Sequence, residues 1–227
     1  MALKALIFDV DGTLAETEEA HRQAFNATFA AHGLDWHWNQ QDYARLLKVT
    51  GGKERMAAHR AAVGHGPDDA TIAAMHKEKT AAYGDILARG GLQARPGVLR
   101  LIEEARAAGL LLAIATTTSP GNVEALAACL WGKPAGQVFD VIAAGDVVKA
   151  KKPAPDIYLF ALEHLALPAA QALAFEDTWN GLHSAKGAGL KVVATPSVYS
   201  AGEDFAAAHR VLPDLGCFRL VDALALA

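Results

Sequence analysis

A chain of 227 residues can bury one full α/β core and leaves room for a smaller second domain. With 52% hydrophobic residues and a formal net charge of −4, it has the make-up of a compact globular protein, and no basic excess marks nucleic acid as a partner. Cys129 and Cys217 lie far apart, no apolar run is long enough to span a bilayer, and no signal-like stretch precedes the first strand. A cytoplasmic enzyme that does not engage a membrane is therefore expected.

Ala5-Leu6-Ile7-Phe8 is a continuous apolar run that suits a strand buried on both faces, and it leads into Asp9-Val10-Asp11-Gly12. Alternation places Asp9 and Asp11 on one side, past the last buried residue, and Gly12 lets the chain turn away. Helical patterns follow over residues 17–31, 39–47, 53–63 and 69–87, with no convincing strand among them. Arg95-Pro96-Gly97 then punctuates a change of pattern. A helix stops near Gly109, and strands are expected over 110–115, 138–144, 173–175 and 191–194. Helices over 122–130, 155–165 and 180–188 separate them. Strands alternating with helices mean a parallel sheet with right-handed crossovers. The expected architecture is α/β: a Rossmann-like core from residues 1–14 and 92–227, with an all-helical cap over 15–91 inserted in it.

In such sheets, sites form beyond the carboxyl ends of the strands, and here each expected strand ends in a polar group. The first delivers Asp9 and Asp11, and the second Thr116-Thr117-Thr118-Ser119. The third leads through Asp146 to Lys151-Lys152-Pro153, and the fourth ends in Glu176-Asp177. Paired carboxylates can hold a hard divalent cation such as Mg2+, and one of them can attack an electrophile. Thr116 suits either a phosphate contact or a helix N-cap. Lys152 can place a compact positive charge on a transferring phosphoryl group, with Lys151 a competitor on charge alone.

The complete run from Ala5 to Leu14 resembles the nucleophile motif of the haloacid dehalogenase superfamily. Thr116, Lys152 in Lys-Pro-Ala-Pro-Asp, and Asp177 in Phe-Glu-Asp-Thr match its remaining motifs in order. The resemblance implies that Asp9 is a nucleophile that becomes phosphorylated. Asp11 would be the general acid/base, its backbone carbonyl also binding metal. The implied Mg2+ set is Asp9, Asp11 and Asp177 with Glu176 beside them, and Thr116 and Lys152 meet the phosphoryl group. One dehalogenating branch lacks the second acid, so Asp11 favours phosphoryl chemistry.

In the cap stretch, Gly51-Gly52-Lys53-Glu54 precedes a helical pattern. Free backbone amides and a cation there suit an anion, and a plain turn fits equally; the Walker spacing is absent. His76, Lys77 and Lys79 form a basic patch on the next helix, suited to solvent or to a second anion. If both features face the core site, the substrate is a small-molecule sugar phosphate with a second anionic group. The segments from Ala15 to His21, Trp36-His37-Trp38, Gly51 to Arg55 and Thr116 to Ser119 look like the CbbY group of that superfamily. Its members are phosphatases that remove xylulose 1,5-bisphosphate. That resemblance implies that Glu18 meets sugar hydroxyls and that Gly51, Gly52 and Lys53 hold the distal phosphate. Glu54, His76, Lys79, Thr117, Thr118 and Ser119 complete the expected substrate site. His21 stands where related phosphomutases carry a cap-hinge histidine, and a structural role on the helix face fits as well. The tryptophan segment is expected to be cap packing. A β-phosphoglucomutase-like enzyme is the first alternative, although related mutases carry Lys where Ser119 stands; phosphoglycolate phosphatase is another. A non-catalytic domain would have no need of Asp9, Asp11, Lys152 and Asp177 together. The expected assembly is a monomer.

Overall fold

The computed structural model describes residues 2–226. Six strands form one parallel sheet: β1 (Ala5–Phe8), β2 (Leu111–Thr116), β3 (Val141–Ala144), β4 (Ala172–Glu176), β5 (Lys191–Ala194) and β6 (Arg210–Val211). Their order is β3-β2-β1-β4-β5-β6, so β1 is central. Phe8 registers with Ile114 on one side and Phe175 on the other. The chain order reverses direction between β2–β1 and β1–β4, which opens a crevice beyond the ends of β1 and β4.

The two faces of the sheet differ in bulk. One presents Leu6, Phe8, Leu112, Ile114, Leu173 and Phe175 to the cluster under α5 (Val98–Ala107) and α6 (Pro120–Trp131). The other presents mainly alanine: Ala5, Ala113, Ala115, Ala143, Ala172 and Ala174, with Ile7 among them. Small side chains let the covering helices α7 (Asp156–Leu165) and α8 (Trp179–Gly187) approach closely.

Between β1 and α5 lie four helices, α1 (Glu18–Ala31), α2 (Gln40–Leu46), α3 (Gly52–Val63) and α4 (Asp69–Ala88), which add no strand to the sheet. They form a helical cap with an apolar cluster of its own, built on Phe25, Phe29, Trp36, Trp38, Tyr43, Met56, Ile72 and Met75. The Trp36-His37-Trp38 segment is thus cap packing. Ala24, Tyr83 and Leu87 from α1 and α4 join the core cluster instead, so the cap and the sheet share packing at the hinge. There Ala15 bridges Ala94, and the buried Arg95 guanidinium donates to the carbonyls of Gly12, Thr195, Pro196 and Pro213.

The sequence marks residues 191–194 as the final strand; β6 and α9 (Leu220–Leu226) extend the core beyond it. β6 is two exposed residues, and α9, apolar but for Asp222, is too short to show a helical period. Among the described residues, no helix is long and apolar enough to cross a membrane.

Candidate active site

Asp9 leaves the end of β1 almost enclosed, and Lys152, itself 4% exposed, donates to Asp9 Oδ1 at 2.6 Å. The same ammonium donates to Glu176 Oε1 at 2.6 Å, and that oxygen also accepts the Tyr158 hydroxyl at 2.6 Å. Lys151, the competitor by charge, instead bonds Gly145 O and Asp146. Asp177 follows Glu176 beyond β4. Its carboxylate sits where any side chain at Gly12 would collide with it, and Gly12 has φ +80°, so this turn requires glycine. Apart from a 3.5 Å contact from Thr13 Oγ1, Asp177 has little to offset its charge.

The electrostatics follow from that crowding. Burial pushes Asp9 up to about 7 against the pull of Lys152, and Glu176 adds to the rise. Burial, then Asp9 and Glu176, hold Asp177 well above the usual carboxylate range. Burial opposes the Lys152 charge, yet Asp9 and Glu176 together raise its pKa. Ligand atoms of Asp9, Glu176 and Asp177 lie within 4.8 Å of one another, three buried acids against one ammonium. A divalent cation fits this donor set, since it would neutralise charge that the protein leaves uncompensated.

Asp11 belongs to a different network. Its Oδ1 accepts Thr17 Oγ1 at 2.6 Å and lies 2.9 Å from His21 Nε2, while His21 Nδ1 lies 2.6 Å from Lys79 Nζ. With Lys79 donating to Nδ1, the imidazole carries its proton on Nε2 toward Asp11. The carboxylate of Asp11 stands outside the acid cluster. Burial works to raise Asp11, but His21 and Thr17 hold it well below the usual range. Lys79 is 3% exposed and lies 4.5 Å from the centre of the Phe25 ring; burial pulls it down to about 7. The basic patch is therefore divided. Lys77 is exposed, His76 is half-buried and pulled down to about 4 by burial and then Lys79, and Lys79 points inward.

One cleft joins both networks to the cap. Asp9, Asp11, Thr116, Lys152 and Asp177 line its core side; Glu18, His21, Gly51, Gly52, His76 and Lys79 line its cap side; Thr117, Thr118 and Ser119 close one flank. Thr116 Oγ1 accepts the amide of Thr118, and the N-cap role falls to Ser119, whose Oγ accepts from Asn122 N at the start of α6. Two expected cap residues are elsewhere. Lys53 does not line the cleft but reaches Asp146 of the core at 2.5 Å, at its rim. Glu54 folds back over Gly51 and is also absent from the cleft wall. Besides Lys79, the cleft is lined by a second cap cation, Arg55, which sequence reasoning missed. Arg55 donates to Leu46 O at 3.2 Å and to Tyr43 OH at 3.1 Å, and Tyr43 OH donates to Glu18 Oε2 at 2.7 Å. Thr50 crosses from the cap to donate to Lys152 O at 2.6 Å.

The chain matches the family described as haloacid dehalogenase-like hydrolase over residues 3–189. It is 63% identical over 215 residues to protein CbbY of Rhodobacter capsulatus, covering 95% of each chain. Among solved structures, CbbY from Rhodobacter sphaeroides in complex with phosphate superposes with a TM-score of 0.94 at 49% identity, over 98% of this chain and 99% of that one. A variant of the same protein, crystallised with xylulose 1,5-bisphosphate, gives a TM-score of 0.91 at 50% identity over 94% and 95%. The six-stranded parallel sheet under a helical cap is the fold this chain shares with these solved structures. This chain belongs to the haloacid dehalogenase-like hydrolase family.

Proposed function

We propose that this phosphoric monoester hydrolase removes one phosphate from a sugar bisphosphate, xylulose 1,5-bisphosphate or a close relative, with Mg2+ as its metal. The observation that carries the reading is the single cleft with two anion-receiving ends: Lys152 and the acid cluster at one, Arg55 with the amides of Gly51 and Gly52 at the other. Glu18 lines the same cleft, one oxygen already held by Tyr43, leaving the other for sugar hydroxyls. The relatives crystallised with phosphate and with xylulose 1,5-bisphosphate support this substrate class. Ser119, as a helix cap, supplies no cation where related mutases carry one, which favours hydrolysis over phosphomutation.

In the first step an Asp9 carboxylate oxygen attacks phosphorus in line. The bond from phosphorus to the sugar oxygen breaks, and that oxygen leaves with the electron pair and takes the proton that Asp11 carries in the substrate complex, where the phosphoryl charge opposes the pull of His21 and Thr17 felt in the free enzyme. Lys152 and the Thr116 hydroxyl face the charge that spreads over the phosphoryl oxygens. In the second step Asp11 accepts a proton from water as the water oxygen bonds phosphorus, and the aspartyl-phosphate bond breaks with its electrons returning to Asp9. Thr17, His21 and Lys79 orient the Asp11 carboxylate for both transfers. Asp9 and Asp177 would hold the metal, with Glu176 beside them; when bound, it neutralises phosphoryl oxygens and fixes their orientation.

The test is inorganic phosphate release from xylulose 1,5-bisphosphate with Mg2+ and with chelator. Rapid release that chelator abolishes is the expected result. Absence of release from this and other sugar bisphosphates would overturn the reading.

A further inference from the structure

Tyr158 is fully enclosed on α7, within the cluster under the alanine face of the sheet. A phenylalanine would fill the same apolar space, and an enclosed hydroxyl is costly unless it is bonded. Its partner is Glu176 Oε1, at 2.6 Å. That oxygen also takes Lys152, so two donors occupy it, and the Lys152 ammonium lies 5.2 Å from the centre of the Tyr158 ring. The other Glu176 oxygen is pressed against Gly181 in the first turn of α8, where no Cβ would fit, and accepts the Asp177 amide at 3.3 Å. Glu176 is fixed on every side by the protein itself.

We propose that Tyr158 is a positioning residue for the reaction. Through Glu176 it keeps the Lys152 ammonium aimed at the phosphoryl group, and it keeps Glu176 turned from the metal, which is left to Asp9 and Asp177. The need is clear from the chemistry. While Asp9 is esterified, its oxygen no longer offers Lys152 a full negative charge. Glu176 is then the only fixed anion on that lysine, and the Tyr158 hydroxyl holds it there. Without the hydroxyl, Glu176 Oε1 loses one of its two donors, and a carboxylate whose ligand atom already lies within 4.8 Å of those of Asp9 and Asp177 can turn further toward the metal. Slower turnover and tighter metal binding should therefore appear together, a pairing that loosened packing would not produce.

The kinetic half of this inference rests on the phosphatase reading; the metal half does not. Tyr158→Phe, Glu176→Gln and the double variant would be compared in two assays. One is a Mg2+ titration without substrate, followed by tryptophan fluorescence, since Trp179 opens α8 two residues past Asp177. The other is phosphate release. Tyr158→Phe should tighten Mg2+ about 3–10-fold and lower kcat about 10-fold with KM within about twofold, and both effects should vanish in the Glu176→Gln background. Weaker or unchanged Mg2+ binding, or an equal kcat loss in both backgrounds, would overturn the proposal. Should Tyr158→Phe fail to fold, Glu176→Gln decides: Mg2+ affinity within about threefold with a lowered kcat supports it, and a loss of tenfold or more overturns it. A wild-type protein that binds Mg2+ but releases no phosphate would sink the phosphatase reading while leaving the titration to judge Tyr158.

Discussion

The two walls of the cleft are built on different principles. On the core wall, Asp9, Lys152, Glu176 and Tyr158 bond one another directly and are closed off from water, so each fixes its neighbour. On the cap wall the charged groups belong to different helices. Arg55 of α3 bonds Tyr43 of α2, which bonds Glu18 of α1, and Lys79 of α4 bonds His21 of α1. The core wall rests on strand ends whose spacing the sheet dictates. The cap wall depends on how four separate helices pack. On the proposed function, the reacting groups sit on the first wall, where positions are fixed, and the groups that read the rest of the substrate sit on the second.

The comparison can be broken at its strongest point first. Asp9→Asn should cost at least about 10,000-fold in turnover while leaving the melting transition cooperative, because no other group in the cluster is placed to form the covalent intermediate. Retained turnover would remove the core wall from the chemistry. On the cap wall, Arg55→Ala should raise KM for a sugar bisphosphate about 10–100-fold while changing a small monophosphate ester about twofold or less. Lys53→Ala should affect both esters alike, because Lys53 faces Asp146 and not the cleft. A bisphosphate-selective loss in Lys53→Ala would restore it as the distal clamp.

Smaller effects sharpen the contrast. Lys79 loses its proton near pH 7 in the free enzyme, so kcat/KM should fall as pH rises through that value. Lys79→Met should remove this limb and lower the plateau about 10-fold; a profile identical to wild type would exclude Lys79 from the Asp11 network. Asp9 titrates near 7 when folded, against 3.8 for its ordinary value, so the metal-free fold binds a proton that the unfolded chain does not. Stability without metal should therefore fall as pH rises from about 4 to 7. A divalent cation replaces that proton, so its stabilisation should be larger at pH 8 than at pH 5, read as a shift in Tm. The smallest effect belongs to the Lys53–Asp146 pair at the rim, whose side chains are 36% and 61% exposed. A double-mutant cycle there should return less than about 1 kcal/mol.

The same division governs what could be read from the sequence. Asp9, Asp11, Lys152 and Asp177 each follow a short apolar run or a Lys-Pro signal, and a strand carries that local pattern directly to the sheet edge. Arg55 carries no such signal, because its burial depends on α3 lying against Tyr43 of another helix. Lys79 was more legible than its basic neighbours suggest. Ile72, Met75, Lys79, Tyr83 and Leu87 recur at helical spacing, so the lysine falls on the buried stripe of α4. Lys53 was misplaced because a cation after two glycines suits an anion, and nothing local in the sequence shows that Asp146 of the core is within its reach. Strand β6 is only two exposed residues, and the apolar run of α9 is too short to show a helical period.

The alanine face of the sheet ties thickness to chemistry. Across the other face, Leu, Ile and Phe set the spacing, and a lost or gained methyl group is a matter of packing alone. Beneath α7 there is no such slack. One extra methyl at Ala113 or Ala143 acts as a shim under the helix that carries Tyr158, and it would lift a hydroxyl off Glu176 without touching any residue of the cleft. Substitutions that look neutral on a scale of hydrophobicity are, at these positions, adjustments to the aim of a lysine.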